Sequence, residues 1–406
     1  MKRLRSLASN LALAGFGIAL GLGVFELAAR WMISSRPPGK SGEQAAYTIF
    51  DPLLGWRNKP GATVRYNRRE YQTEVTINAL GFRDVERSAK KPAGRPRVLL
   101  LGDSFIEGYA VERDETLTRR LESVASASGC PVDVVNAGVH GYSTDQEALW
   151  YHAEGEPLGA DIVGIAVYYN DFIHNIRDRY AISLKPLLEL REGSLVPVNT
   201  PLPERKIPGD DVALTPPSAR RIEGSALKTL VLERLFSGAP RWYDRLARMG
   251  LVETYVPDSI PDELRVYRKG NRNPEVERAW ERTAEILGWL SETVRARNAR
   301  PVLIHIPARL EISDRAFDLT MLRYGLDREA WDPGRVRERL LEIAAQKGFA
   351  FLDLTPGLRA STGLLAGDPY FPYDGHWNRM GHDVAARSLF DFLKDQTLLS
   401  CARMSR

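Results

Sequence analysis

The chain has 406 residues, 44% hydrophobic and 27% charged, the balance of an ordinary folded protein rather than a disordered one. Its 56 basic and 52 acidic residues leave a net charge of +4, too small to argue for a nucleic-acid surface, and no nucleic-acid-binding motif accompanies it. The two cysteines, Cys130 and Cys401, fit neither a metal knuckle nor a disulfide framework, which leaves open only a single bridge between them.

The N-terminus reads as an address. Met1-Lys2-Arg3-Leu4-Arg5 is basic, and the uncharged run from Ser6 to Phe25 behind it is long enough to cross a bilayer as a helix. Glu26 and Arg30 mark its far edge, with Trp31 placed as an interfacial anchor. The positive flank predicts a cytoplasmic N-terminus and an exported remainder: residues 1–33 form a single-pass signal anchor, with the catalytic domain outside the cytoplasm (periplasmic if the envelope is Gram-negative). A cleaved signal peptide is the rival, with Leu27-Ala28-Ala29 as its nearest cleavage site.

Residues 34–96 read as a Pro/Gly linker followed by a small β appendage, with Thr63–Tyr66 and Thr73–Ile77 as its strands. From Arg97 short apolar strands alternate with amphipathic helices. Strands are expected over Arg97–Leu101, Val132–Asn136, Ile162–Val167, Pro301–Ile306 and Ala350–Leu354. Helices are expected over Asp114–Ala127, Thr144–Glu154, Pro274–Arg297, Arg335–Lys347 and Met380–Lys394. This alternation predicts an α/β domain, residues 97–398, with a five-stranded parallel sheet covered on both faces. Residues 182–273 interrupt it as a long insertion. The insertion holds a helix-like stretch, Ser218–Phe236, among basic residues that include Arg220, Arg221, Lys228, Arg234, Arg241, Arg245 and Arg248. It reads as a solvated face, or as a lid or a surface for anionic lipid or polysaccharide.

The polar residues at the strand ends carry the chemistry. The first strand stops at Gly102-Asp103-Ser104, the second at Asn136-Ala137-Gly138-Val139-His140-Gly141, and the third at Tyr168-Tyr169-Asn170-Asp171. A serine at a strand end is a candidate nucleophile, a tight glycine turn can aim a backbone N–H, and a side-chain amide can donate to an oxyanion. Near the C-terminus Tyr373-Asp374-Gly375-His376 supplies a base and its orienting carboxylate from one loop. Asp103 reads as the cap of the following turn, His382 as a structural hydrogen-bonding residue, and His140 and His305 as pocket-lining or buried. Asp374, His376 and His382 lie close enough to suggest a metal site, but no fourth ligand is near and none is expected.

These four separated motifs, in this order, resemble the SGNH/GDSL hydrolase family over Arg97–Lys394, apart from the insertion. The resemblance implies a flavodoxin-like three-layer α/β/α sandwich and no metal or cofactor. It implies Ser104 as nucleophile, His376 as general base, Asp374 as orienting acid, and an oxyanion hole made by Ser104, Gly141 and Asn170. One position departs from the family: its usual glycine two residues before the asparagine is Tyr168 here, which changes the shape of the pocket. No G-x-S-x-G elbow is present, against an α/β-hydrolase. The expected activity is cleavage of O-acyl esters through an acyl-serine, on acylated carbohydrate such as an O-acetylated extracytoplasmic glycan. An O-acyltransferase acting on polysaccharide and a non-catalytic polysaccharide-binding scaffold are the alternatives. The motif order, with Ser104 ahead of Asp374 and His376, favours hydrolysis.

Overall fold

The computed structural model describes residues 2–34, 41–68, 70–180, 183–204, 225–228, 261–270, 273–363, 367–372 and 374–399, together with positions 231, 242, 246 and 249. The chain divides into two compact units, Met1–Gln44 with Arg205–Tyr255, and Ala45–Glu204 with Val256–Arg406.

In the first unit α1 (Lys2–Ser34) is one continuous helix. Its Leu13–Met32 stretch, with a mean hydropathy of 1.5, is long and apolar enough to cross a membrane. The apolar stretch therefore runs further than the uncharged run from Ser6 to Phe25. It passes through Glu26 and Arg30, which pair one helical turn apart at 2.8 Å. The Glu26 carboxylate also accepts the backbone N–H groups of Ala226 at 2.8 Å and Leu227 at 2.9 Å, capping a helical turn of the insertion. Most of Ser218–Phe236, and Arg220, Arg221, Arg234, Arg241, Arg245 and Arg248, lie outside the described residues.

The second unit begins as α2 (Ser41–Tyr47) ends. Two hairpins follow: β1 (Thr48–Asp51) with β2 (Gly55–Asn58), and β3 (Thr63–Asn67) with β4 (Gln72–Thr76). The second matches the two expected strands. The first has exposed Ile49 and Phe50 in β1, so no alternation betrays it in the sequence.

The main sheet is built from β5 (Arg97–Gly102), β6 (Asp133–Gly138), β7 (Ile162–Val167), and two later strands, Arg300–His305 and Ala350–Asp353. Helices α3 (Ser104–Glu107) and α4 (Leu117–Ala127) lie between β5 and β6, and α5 (Thr144–Trp150) between β6 and β7. After α6 (Asp171–His174) the segment expected as a gap opens with two short hairpins, β8 (Arg179–Tyr180) with β9 (Ser183–Leu184) and β10 (Leu188–Arg191) with β11 (Ser194–Pro197). The remaining elements are α7 (Pro274–Ala296), β12 (Arg300–His305), α8 (Arg309–Ile312), α9 (Asp314–Arg323), α10 (Arg335–Lys347), β13 (Ala350–Asp353), α11 (Thr355–Ala360) and α12 (Arg379–Asp395). Helix α7 starts on Asn273, whose side chain accepts the Glu275 N–H, with Pro274 in its first turn; α12 starts on Asn378 in the same way.

All five sheet strands are parallel, in the order β13-β12-β7-β5-β6. Strands β5, β6 and β7 are buried throughout, which is why they read as continuous apolar runs. Alternate residues serve opposite faces. Leu99 and Leu101 join Leu149, Leu287 and Leu340 on one side, while Val98 and Leu100 join Leu121, Leu358 and Leu389 on the other. The result is the expected three-layer α/β/α arrangement. Strand order reverses between β5 and β7, and in such sheets ligands bind outside the carboxyl ends of the strands at that switch point. Cys130, three residues before β6, is disulfide-bonded; the chain's other cysteine, Cys401, lies outside the described residues.

Candidate active site

Ser104 is the first residue of α3, directly after β5, and Asp103 caps that helix by accepting the Phe105 N–H at 2.9 Å. Asp103 thus takes the capping part expected of it, and burial pushes its carboxyl up to about 6 against the pull of His376. The helix can turn back so sharply because β6 ends in Gly138. A Cβ there would lie 2.2 Å from the Glu107 backbone nitrogen, a distance no side chain permits.

The three residues expected to form a triad meet. Ser104 Oγ is 2.8 Å from His376 Nε2, and His376 Nδ1 is 2.5 Å from Asp374 Oδ1. Nδ1–H donates to the carboxylate, which leaves Nε2 with its lone pair toward the serine hydroxyl. The Asp374 side chain is 5% exposed and that of His376 20%, so the base is reachable from outside while its acid is shielded. The Phe105 ring packs against the imidazole, with ring centres 4.9 Å apart.

Gly141 and Asn170 stand on the neighbouring strand ends. Strand β5 is flanked by β6 and β7, with Gly102 opposite Gly138 and Leu101 opposite Ile165, so the loops that follow share one edge of the sheet. Gly141 has φ +75°, and a Cβ on it would stand 2.8 Å from the Tyr180 ring, so only glycine suits the turn. Asn170 precedes α6; its amide oxygen is buried with no hydrogen-bond partner among the described residues. Tyr168, two residues before Asn170, packs its ring against that of Phe105, with ring centres 4.6 Å apart.

Several residues here went unread in the sequence. Tyr71 Oη donates to Asp374 Oδ2 at 3.0 Å, Tyr109 Oη lies 3.1 Å from His376 Nδ1, and Glu70 Oε2 accepts the Asp374 N–H at 2.8 Å. Tyr180, on the first hairpin after β7, covers the Gly141 turn and stacks on His174 with ring centres 4.8 Å apart. Lys185, fully buried, bonds Asp145, four residues past Gly141, and the His174 carbonyl, four residues past Asn170, the latter at 3.0 Å. Both Glu147 and Asp171 are pushed well above the usual carboxylate range, by burial first and then by nearby acids, Asp171 and Asp103 for Glu147 and Asp103 for Asp171.

The other histidines serve the fold. His382 Nδ1 accepts the Leu117 N–H at 3.1 Å, and burial pulls the ring down to about 3, so it stays a neutral acceptor. The His140 carbonyl accepts from the Trp56 indole at 3.0 Å, and its ring stacks on Tyr109. His305 is completely buried between Glu311 and Asp353. Among the described residues no group of three His, Cys, Asp or Glu is arranged to hold a metal ion.

Neither a family model nor a curated protein matches the chain. Among solved structures it is similar to a lipase/acylhydrolase from Enterococcus faecalis, at 12% identity and a TM-score of 0.38, over 76% of this chain and 99% of that one. It is similar to TesA at 12% identity and a TM-score of 0.35, over 74% and 98% of the two chains. A GDSL-like lipase from Bacteroides thetaiotaomicron is similar at 11% identity and a TM-score of 0.34, over 74% and 88%.

Proposed function

We propose that this chain is a serine ester hydrolase of the SGNH/GDSL type that removes short O-acyl groups, acetyl first among them, from an extracytoplasmic glycan. The observation that carries this reading is the continuous Ser104–His376–Asp374 chain at the switch point of the sheet. His376 takes the Ser104 proton as Oγ attacks the ester carbonyl. The oxyanion forms against the N–H groups of Ser104 and Gly141 and the Asn170 amide, and His376 then gives its proton to the leaving alcohol. Water repeats the cycle in reverse order and frees the acid. Asp374 stays ionised and steadies the imidazolium.

Two features favour a site outside the cytoplasm. The N-terminal helix has the length and composition of a signal anchor behind a basic flank. A disulfide-bonded Cys130 suits an oxidising compartment. The test is the full chain in detergent, given p-nitrophenyl acetate and an O-acetylated glycan, with and without an acceptor sugar. Acetate release from both, lost in Ser104→Ala, is the expected result. Acetyl appearing only on the acceptor assigns transfer instead, and no reaction with any of them leaves a binding scaffold.

A further inference from the structure

The loop that carries Asp374 and His376 is a tight turn closed on itself. The Phe371 N–H donates to the His376 carbonyl at 2.8 Å, and the Gly375 N–H to the Phe371 carbonyl at 2.9 Å. These bonds fix the backbone, while the direction of the Asp374 carboxylate is set by its own hydrogen bonds. Rotation would turn Oδ1 away from the imidazole, and with it the direction of Nε2 toward Ser104. Besides the imidazole, Asp374 is held by groups from outside the loop.

The partners come from the N-terminal hairpin, 303 residues earlier in the chain for Tyr71. Tyr71 Oη donates to Oδ2, the oxygen the imidazole does not use, and Glu70 accepts the N–H of Asp374 itself. Tyr109 adds a second phenol, 3.2 Å from Oδ1 and 3.1 Å from His376 Nδ1. The three are held by the rest of the appendage. Arg83, fully buried, donates to the carbonyls of Gly108 at 2.7 Å and Val111 at 2.6 Å, and Thr73 Oγ1 to that of Tyr109 at 2.7 Å. Rings of Tyr66, Tyr71, Tyr109 and Phe371 pack into one cluster between hairpin and loop.

We propose that Glu70 and Tyr71, in the β3–β4 turn, are positioning residues for the acid of the triad, with Tyr109 as their partner, so that the hairpin completes the active site. This rests on the reading of Asp374 as that acid. The choice of donor is chemically specific. An arginine facing Oδ2 would neutralise the carboxylate and weaken its hold on the imidazolium, whereas a phenol fixes the oxygen and leaves the charge in place. Burial, with the charge of Asp374, raises both tyrosines well above their usual range, so each keeps its proton. The titratable groups around the His376–Asp374 pair are Glu70, Tyr71, Tyr109, Asp103, His140 and His382.

The experiment uses the full chain in detergent and compares Tyr71→Phe, which keeps the ring packing, with the parent. For p-nitrophenyl acetate, kcat/KM falls roughly tenfold, as expected for one hydrogen bond to a charged group, with KM and the melting midpoint unmoved. The acidic limb of its pH profile moves to higher pH, because the acid left with one donor fewer holds the imidazolium more firmly. A second readout needs no turnover: the downfield proton resonance of His376 Nδ1–H, assigned by its loss in His376→Gln, shifts in Tyr71→Phe. Glu70→Gln, which still accepts the Asp374 N–H, behaves as the parent, while Glu70→Ala falls with Tyr71→Phe. A Tyr71→Phe chain with parental kcat/KM, pH profile and resonance overturns the proposal, and Glu70→Gln and Glu70→Ala behaving alike removes Glu70 from it. If the parent shows no Ser104-dependent turnover, the esterase reading falls. The resonance then decides this inference alone: movement supports it and constancy overturns it.

Discussion

Two histidines of this chain sit at the carboxyl edge of the same sheet, each bonded through Nδ1 to an aspartate, and they have opposite fates. His376 offers Nε2 to a serine hydroxyl and is partly open to solvent. His305 ends β12 in register with Asp353 of β13, and its Nε2 faces Glu311 at 3.2 Å with no exposure at all. Burial alone would pull the His305 ring down, but Glu311 and Asp353 outweigh it and push it up to about 9. A second carboxylate thus turns an imidazole into a fixed cation that ties β12 to β13 and α8. His376 instead faces one carboxylate and one hydroxyl. The residue types hardly differ; what faces Nε2 decides the role.

The largest break in that comparison comes from the reactive side. Ser104→Ala removes ester turnover by a factor on the order of 10⁶, with folding intact, as measured by initial rates and by loss of labelling with a fluorophosphonate. Asn170→Ala costs less, about 100- to 1000-fold in kcat, because one oxyanion donor of three is lost while nucleophile and base stay in place. On the structural side the effect is on stability and its sign is set by the raised ring. His305 contributes in full below its unfolded value near 6.5, and the contribution is lost as pH rises through about 9. Denaturant melts at pH 6 and pH 9.5 should differ by on the order of 3 kcal/mol from this group, and the difference should shrink in His305→Ala. Turnover should follow neither change beyond the loss of folded protein. The smallest effect is expected from Gly141→Ala, where a strained φ and contact with Tyr180 cost about 1–2 kcal/mol, read as a drop of roughly tenfold in kcat/KM. A His305→Ala chain as stable as the parent at every pH would erase the distinction.

The sheet was legible because its central strands are buried on both faces and even the half-buried β13 is a short apolar run bounded by turn residues. Asp374 and His376 were legible because acid and base share one loop, two residues apart. The partners of the acid were not. Tyr71 and Tyr109 look like any strand or loop aromatic, and nothing local reports that their hydroxyls converge on a carboxylate 303 and 265 residues away. The β1–β2 hairpin escaped because exposed Ile49 and Phe50 break the alternation that marks a half-buried strand. The sequence singles out His376 as the base, but not what holds His305. His305 and its partners Glu311 and Asp353 are dispersed in sequence, so their enclosure of the ring appears only when β12 and β13 pair.

Lys185 sets a rule for anyone who wishes to trim this chain. Its ammonium is enclosed with Asp145, four residues past the Gly141 turn, and bonds the carbonyl of His174, four residues past Asn170. Asn199 in turn closes the strip behind it, donating to the Lys185 carbonyl at 3.0 Å and accepting the Leu187 N–H at 2.8 Å. A deletion begun at residue 182 would strip away that counter-ion and leave Asp145 buried and unneutralised. Any cut therefore belongs beyond Asn199, and Leu264, Val266 and Tyr267 near the far end of the insertion, buried in the main core, must stay as well.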